Sequence, residues 1–155
     1  MRFLLSLALF VITLPAPAFA ECVSFAWPVV GEVTGEFAPS GRYSGHWGLD
    51  IDAPDATPVR AAAGGVVSFS GEVVGNQTIT VSHGGGLKTS YSYLSERVVT
   101  EGMVVESGAT LGSSGIAHET KALHFSVRVF STYRDPQPFF GCMELIPADG
   151  LRLVS

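Results

Sequence analysis

Four histidines lie along the 155-residue chain, at positions 46, 83, 118 and 124. Two of them, with one aspartate, suit a metal. His46 and Asp50 stand four apart in Gly45-His46-Trp47-Gly48-Leu49-Asp50. On a helix that spacing places both side chains on one face, but Gly48 and the β-rich surroundings argue against a helix. On a straight strand the two positions share a face about 13 Å apart, whereas two ligands of one tetrahedral zinc lie roughly 3 to 4 Å from each other. The chain must therefore bend between them, and Gly48 is the residue that can allow it. His124, in Ala122-Leu123-His124-Phe125, opens an apolar segment and by itself reads as a core histidine with a satisfied hydrogen bond. Joined to His46 and Asp50, it supplies a third ligand and leaves a fourth position for water. Such an open site is catalytic in type, whereas structural zinc sites are closed.

The elements that must position these groups are short strands. Eighteen glycines punctuate the chain beyond position 30, and between them lie Val66-Val67-Ser68-Phe69, Thr78-Ile79-Thr80-Val81, Val98-Val99-Thr100, Met103-Val104-Val105 and Phe125 to Phe130. Short β-rich segments with regular glycine spacing predict an all-β sandwich or barrel. Apolar and polar residues alternate in Thr78 to Val81 and in Phe125 to Phe130, as in strands with one face on a core. No sustained 3.6-residue period follows the first twenty residues, so little helix is expected. One all-β domain of mostly antiparallel short strands is predicted.

The first twenty residues read differently. Arg2, the apolar run Phe3 to Leu14, Pro15 and Ala18-Phe19-Ala20 make an expected secretory signal peptide over 1–20, cleaved after Ala20. The apolar run is too short to span a bilayer, and no later stretch approaches the length of a transmembrane segment. Residues 21–155 then form one domain, located in the periplasm or secreted. A small residue is wanted before a lipidated cysteine, and Glu21 precedes Cys22, which argues against a lipoprotein. Loss of Arg2 takes the net charge from -5 to -6, with no basic run that would bind nucleic acid. Cys22 and Cys142, near the two ends of an exported chain, are expected to form its one disulfide.

Several further stretches carry a family resemblance. They include Trp27-Pro28-Val29, His46-Trp47-Gly48-Leu49-Asp50-Ile51-Asp52-Ala53-Pro54, Ala61-Ala62-Ala63-Gly64-Gly65-Val66-Val67, Val81-Ser82-His83-Gly84-Gly85-Gly86, Tyr91-Ser92-Tyr93-Leu94, Gly102 to Gly112 and Leu123-His124-Phe125. In this order they resemble the LytM-domain, lysostaphin-like zinc endopeptidases, which cut peptidoglycan peptides. The resemblance implies a duplicated-hybrid, barrel-sandwich fold. It also implies one Zn2+ held by His46, Asp50 and His124, the positions of the family's H-x-G-x-D and of the second histidine in H-x-H. The family's two auxiliary catalytic histidines fall at positions where this chain has Ala122 and Tyr93.

Two residues could compensate. Tyr93 stands in register with one missing histidine, and its phenol can donate a hydrogen bond to a developing oxyanion; its plainer role is a packing aromatic. His118, in the polar stretch Ala117 to Lys121, could fold over the metal or remain a solvated loop residue. His83 reads as structural or at the cleft rim, and Trp47 as a packing residue beside the metal. The signal peptide and the resemblance together imply an exported zinc endopeptidase acting on peptidoglycan peptide, and a monomer is expected. The alternative that the resemblance leaves is a degenerate domain that binds wall peptide or regulates another cell-wall hydrolase.

Overall fold

Alternation along the chain builds one large antiparallel sheet. The computed structural model describes residues 22–42, 44–141, 143–146 and 150–153. The expected leader and Cys142 lie outside these residues, so the signal peptide and the disulfide remain expectations. The strands are β1 (Cys22–Val23), β2 (Val33–Gly35), β3 (Ala38–Pro39), β4 (Gly45–His46), β5 (Leu49–Asp52), β6 (Pro58–Arg60), β7 (Gly65–Val73) and β8 (Asn76–Gly84). They continue with β9 (Leu87–Arg97), β10 (Val104–Val105), β11 (Thr110–Ala117), β12 (Thr120–Val129), β13 (Thr132–Arg134), β14 (Met143–Ile146) and β15 (Gly150–Leu153). Among the described residues the helical content is a single 3₁₀ turn, Gln137–Phe140.

The ten-stranded sheet runs β10-β7-β8-β9-β11-β12-β5-β2, with β13 added beside β12 and β6 beside β11. Strand β9 serves two partners. Its first half, Leu87 to Ser92, pairs with His124 to Val129 of β12, and its second half, Leu94 to Arg97, pairs with Ser114 to Gly112 of β11. The switch falls at Tyr93.

Inward positions carry the core: Leu123, Phe125, Val127 and Val129 from β12, Leu49 and Ile51 from β5, Ile79 and Val81 from β8, and Tyr91 from β9 are all buried. Each such aliphatic or aromatic side chain, fully buried, contributes about 1.5–3 kcal/mol before entropy is counted. That burial fixes which face of each strand looks outward, because a slip of one residue would invert every side chain. The outward face of β8, β9 and β12 is consequently hydroxylic, with Thr78, Thr80, Ser90, Ser92 and Ser126 between the core positions.

Two expected strands fare differently. Only Val104–Val105 of Met103 to Val105 is extended in the sheet. Val98 to Thr100 is not a strand: Val98 N–H still reaches Leu111 O at 2.8 Å, but the next carbonyl, of Val99, accepts from the Ser70 hydroxyl at 2.7 Å. A side chain thus takes the place of a ladder partner, and the chain turns towards Gly102.

Candidate metal centre

Asp50 and His124 are direct cross-strand neighbours on β5 and β12, so the sheet register itself brings them together. His46 arrives from β4, across the break at Trp47 and Gly48. The expected bend exists, but its cause differs from the expectation. Gly48 has no positive φ; it is needed for room, since a Cβ there would sit 2.5 Å from Phe125 O and 2.8 Å from His124 Nε2. The His124 ring therefore lies against bare backbone.

Three donor atoms converge. His46 Nε2 lies 3.1 Å from His124 Nδ1 and 3.2 Å from Asp50 Oδ1, and His124 Nδ1 lies 2.8 Å from Asp50 Oδ1. His46 Nδ1 donates to the Glu36 carbonyl at 2.7 Å, which leaves Nε2 as the lone-pair atom pointing at the other two. Ligands bonded tetrahedrally to zinc at about 2.0–2.2 Å stand roughly 3.3 Å apart, so the triangle fits that ion. Two imidazole nitrogens and a carboxylate oxygen are also the ligand chemistry zinc prefers. The structure brings together the three residues that the resemblance implies as ligands, with His118 beside them.

His118 joins them, and its donor atom lies within 4.8 Å of theirs. It sits at the tip of the two-residue turn between β11 and β12, where Ala117 pairs with Thr120. Both turn residues are left-handed, His118 at φ 50° and Glu119 at φ 71°, as the tight hairpin with matching twist requires. His118 Nδ1 lies 2.8 Å from Asp50 Oδ2, so Asp50 divides its oxygens between the triangle and His118. Burial pushes the Asp50 carboxyl up, but hydrogen bonds from His124 and His118 and the nearby imidazoles outweigh it and hold it at about 2. The group is a carboxylate at neutral pH, so His118 Nδ1–H is the donor and Nε2 is free to accept.

That acceptor faces Tyr93, whose hydroxyl lies 3.2 Å from His118 Nε2. Simple alternation would send Tyr93 into the core beside Tyr91. Instead Tyr93 is bulged: Ser92 and Leu94 oppose the consecutive residues Thr78 and Gln77, and Tyr93 takes φ 62°. A bulge re-aims a side chain in this way, and here it delivers the phenol to the metal side. Ala122, the other position where a histidine is missing, is buried two residues before His124.

His83 is not part of this group. Its ring bridges Gly64 O at 2.7 Å and the Thr89 hydroxyl at 2.9 Å, beside Phe25, so its role is structural. Trp47 packs edgewise on Phe37 and tilts against Tyr133, and it also walls a groove of 390 Å³ that leads away from His124 over the hydroxylic face. Sequence reasoning missed this groove floor; the polar half of the alternation in Thr78 to Val81 and Phe125 to Phe130 was its signal.

The geometry agrees with the comparisons. Residues 44–136 match the profile of peptidase family M23. The chain belongs to peptidase family M23. The cell division protein DipM of Caulobacter vibrioides is 34% identical over 134 residues, which cover 79% of this chain and 22% of DipM. The DD-carboxypeptidase/endopeptidase Mpg of Neisseria meningitidis serogroup B is 36% identical over 87 residues, 54% of this chain and 20% of Mpg. The antimicrobial peptidase lysostaphin from Staphylococcus simulans superposes with a TM-score of 0.67 at 27% identity, covering 79% of this chain and 55% of that one. The chain spans about a fifth of the length of these two curated relatives. No helix among the described residues is long and apolar enough to cross a membrane.

Proposed function

We propose that this M23 chain is an exported zinc endopeptidase that hydrolyses peptidoglycan peptides in the cell envelope. The observation that supports this reading best is the hydrogen-bonded series Asp50–His118–Tyr93 beside the ligand triangle, at 2.8 and 3.2 Å. It supplies two groups able to handle protons, Tyr93 in register with one of the family's auxiliary histidines and His118 from a position outside them. Zinc, when held by His46, Asp50 and His124, would act as a Lewis acid on the peptide carbonyl and make water a better nucleophile. The remaining work falls to the chain. Asp50 Oδ2 fixes the His118 tautomer, so Nε2 can take a proton from the attacking water and pass it to the leaving amine. The Tyr93 hydroxyl is close enough to turn from His118 and donate to the carbonyl oxygen as charge develops there. The groove floor pairs its own hydroxyls, Thr78 with Ser92 at 3.1 Å and Thr80 with Ser90 at 2.9 Å, leaving oxygen lone pairs for a peptide backbone.

A second reading, a wall-peptide binding or hydrolase-regulating domain, is favoured by Ala122 in place of a histidine. The test is incubation of purified residues 21–155 with isolated peptidoglycan, with and without chelator, and mass analysis of what is released. Chelator-sensitive fragments are expected. His118→Ala should slow release by about 100- to 10,000-fold and Tyr93→Phe by about 100- to 1,000-fold, each with one zinc per chain retained. Absence of fragments from the unaltered protein across the pH range would refute the enzyme and leave the binding domain.

A further inference from the structure

The groove that leaves His124 ends in two cations. Along β12 the outward positions are His124, Ser126 and Arg128, and their partners across β9 are Ser92, Ser90 and Lys88. The groove floor therefore consists of rows: a ligand row at His124, a hydroxyl row at Ser126, and a cationic row at Arg128. Lys88 and Arg128 are directly opposite one another, and both line the groove. Like charges placed directly across a ladder cost stability. Neither is paired with a carboxylate among the described residues. Arg128 is further held in place by Tyr133, with Cζ 5.4 Å from the ring centroid. No Asp or Glu lines the groove, in a chain whose net charge is -5.

Fold stability does not explain an unneutralised pair of cations in an otherwise neutral hydroxyl-lined groove; an anionic occupant does. The four-residue step from His124 to Arg128 spans about 13 Å, which an extended peptide covers in about four residues. We infer that Lys88 and Arg128 form a carboxylate-reading subsite, selecting wall peptides that carry a free carboxylate about four residues from the metal row over neutral glycine bridges. The inference rests on the proposed function, because it takes the groove to hold the peptide. Arg128 offers the planar fork that matches a carboxylate, and Lys88 adds a point charge beside it.

The test uses zinc-loaded residues 21–155 and three probes: the stem tetrapeptide L-alanyl-γ-D-glutamyl-meso-diaminopimelyl-D-alanine, the same peptide with every carboxyl amidated, and pentaglycine. Calorimetry should give at least tenfold tighter binding of the acidic peptide than of the other two. Lys88→Gln and Arg128→Gln should each weaken the acidic peptide by about 10-fold or more, in line with a lost charge-assisted hydrogen bond, and leave the amidated peptide unchanged. Lys88→Arg should restore most of the loss, and circular dichroism with zinc content confirms that each variant is folded. Equal Kd values for acidic and amidated peptides, binding of none of the probes, or variants that bind the acidic peptide as the parent does would each overturn the subsite. A cross-linked stem dimer, assayed in parallel, separates the two readings. Cleavage without acid-selective binding sinks only the subsite, and acid-selective binding without cleavage sinks only the enzyme.

Discussion

Replacing Gly48 by alanine would test whether the metal centre depends on bare backbone. The new Cβ would lie 2.5 Å from Phe125 O and 2.8 and 2.9 Å from His124 Nε2 and Cε1. The carbonyl cannot retreat freely, because Phe125 is paired with Leu49 on β5 and with Tyr91 on β9. The strands must part or the imidazole must swing, and forcing one extra carbon into packed structure costs about 1–3 kcal/mol. A swung ring takes Nδ1 away from Asp50 Oδ1, now 2.8 Å distant. Disturbing the support of a ligand typically weakens metal binding about 10- to 100-fold, or about 1.4–2.7 kcal/mol. Urea denaturation of the metal-free protein should therefore show a loss of about 1–3 kcal/mol, and competition with a chromophoric chelator should show the weaker zinc affinity. Gly102→Ala is the control: its Cβ meets nothing within 4 Å, while φ +89° still strains a side chain. It should cost about 1–2 kcal/mol of stability and leave zinc affinity alone. If Gly48→Ala matched the parent in both measurements, the packing argument for the His124 position would be wrong.

Three further outcomes are expected. Glu119→Gly removes the left-handed strain of a side chain, about 1–2 kcal/mol, against the greater chain entropy of glycine, about 0.5–1 kcal/mol; the urea midpoint should rise, and a fall would contradict a strained turn. His83 is held below its usual value by burial, with the Gly64 carbonyl pulling weakly the other way. A depressed folded value means the stabilisation is complete above the unfolded value of about 6.5 and is lost as pH falls through the lower folded one. His83→Gln should consequently flatten the stability loss on acidification below neutrality, and an unchanged slope would refute the assignment. Strand β1 pairs with β14, Cys22 opposite Glu144, so the chain ends are already associated. With a Cys22–Cys142 bridge, thiol titration of the denatured exported protein should find no free cysteine, and reduction should lower stability by up to about 5 kcal/mol; two titratable thiols would exclude the bridge.

The fold class was legible because it rests on patterns local to the sequence, whereas His124 entered the expected ligand set only through the family resemblance. Alternation sets the faces of β8 and β12, and the spacing from His46 to Asp50 demands a break that the chain provides at Trp47 and Gly48. Tyr93 was legible only as a residue in register with a missing histidine. Its aim depends on a bulge set by pairing with Thr78 and Gln77, and such an offset belongs to two strands at once. His118 needed a turn with two left-handed residues, and His118-Glu119 lacks the Asn-Gly signal that announces one. Val98 to Thr100 had strand composition, yet a serine hydroxyl from β7 occupied the carbonyl a ladder would have used. The cationic row emerges only when β9 is laid against β12, since Lys88 and Arg128 are forty residues apart in the chain.

His124 is laddered on both sides, to Asp50 and to Ser92, whereas His118 occupies a hairpin tip with no strand beyond it. Amide exchange in the two places should differ accordingly, with the His124 amide opening only with global unfolding and the tip opening locally. On the proposed reading, the ion-holding part of the centre is thus tied to the survival of the whole sheet, while the proton-handling part rests on two turn residues and a bulge. Changes at the tip can alter pH response or rate without dismantling the ion site. This division offers a physical route by which one scaffold could pass between hydrolase and silent receptor, since the loss of a single exposed imidazole would leave the cation and the peptide groove in place.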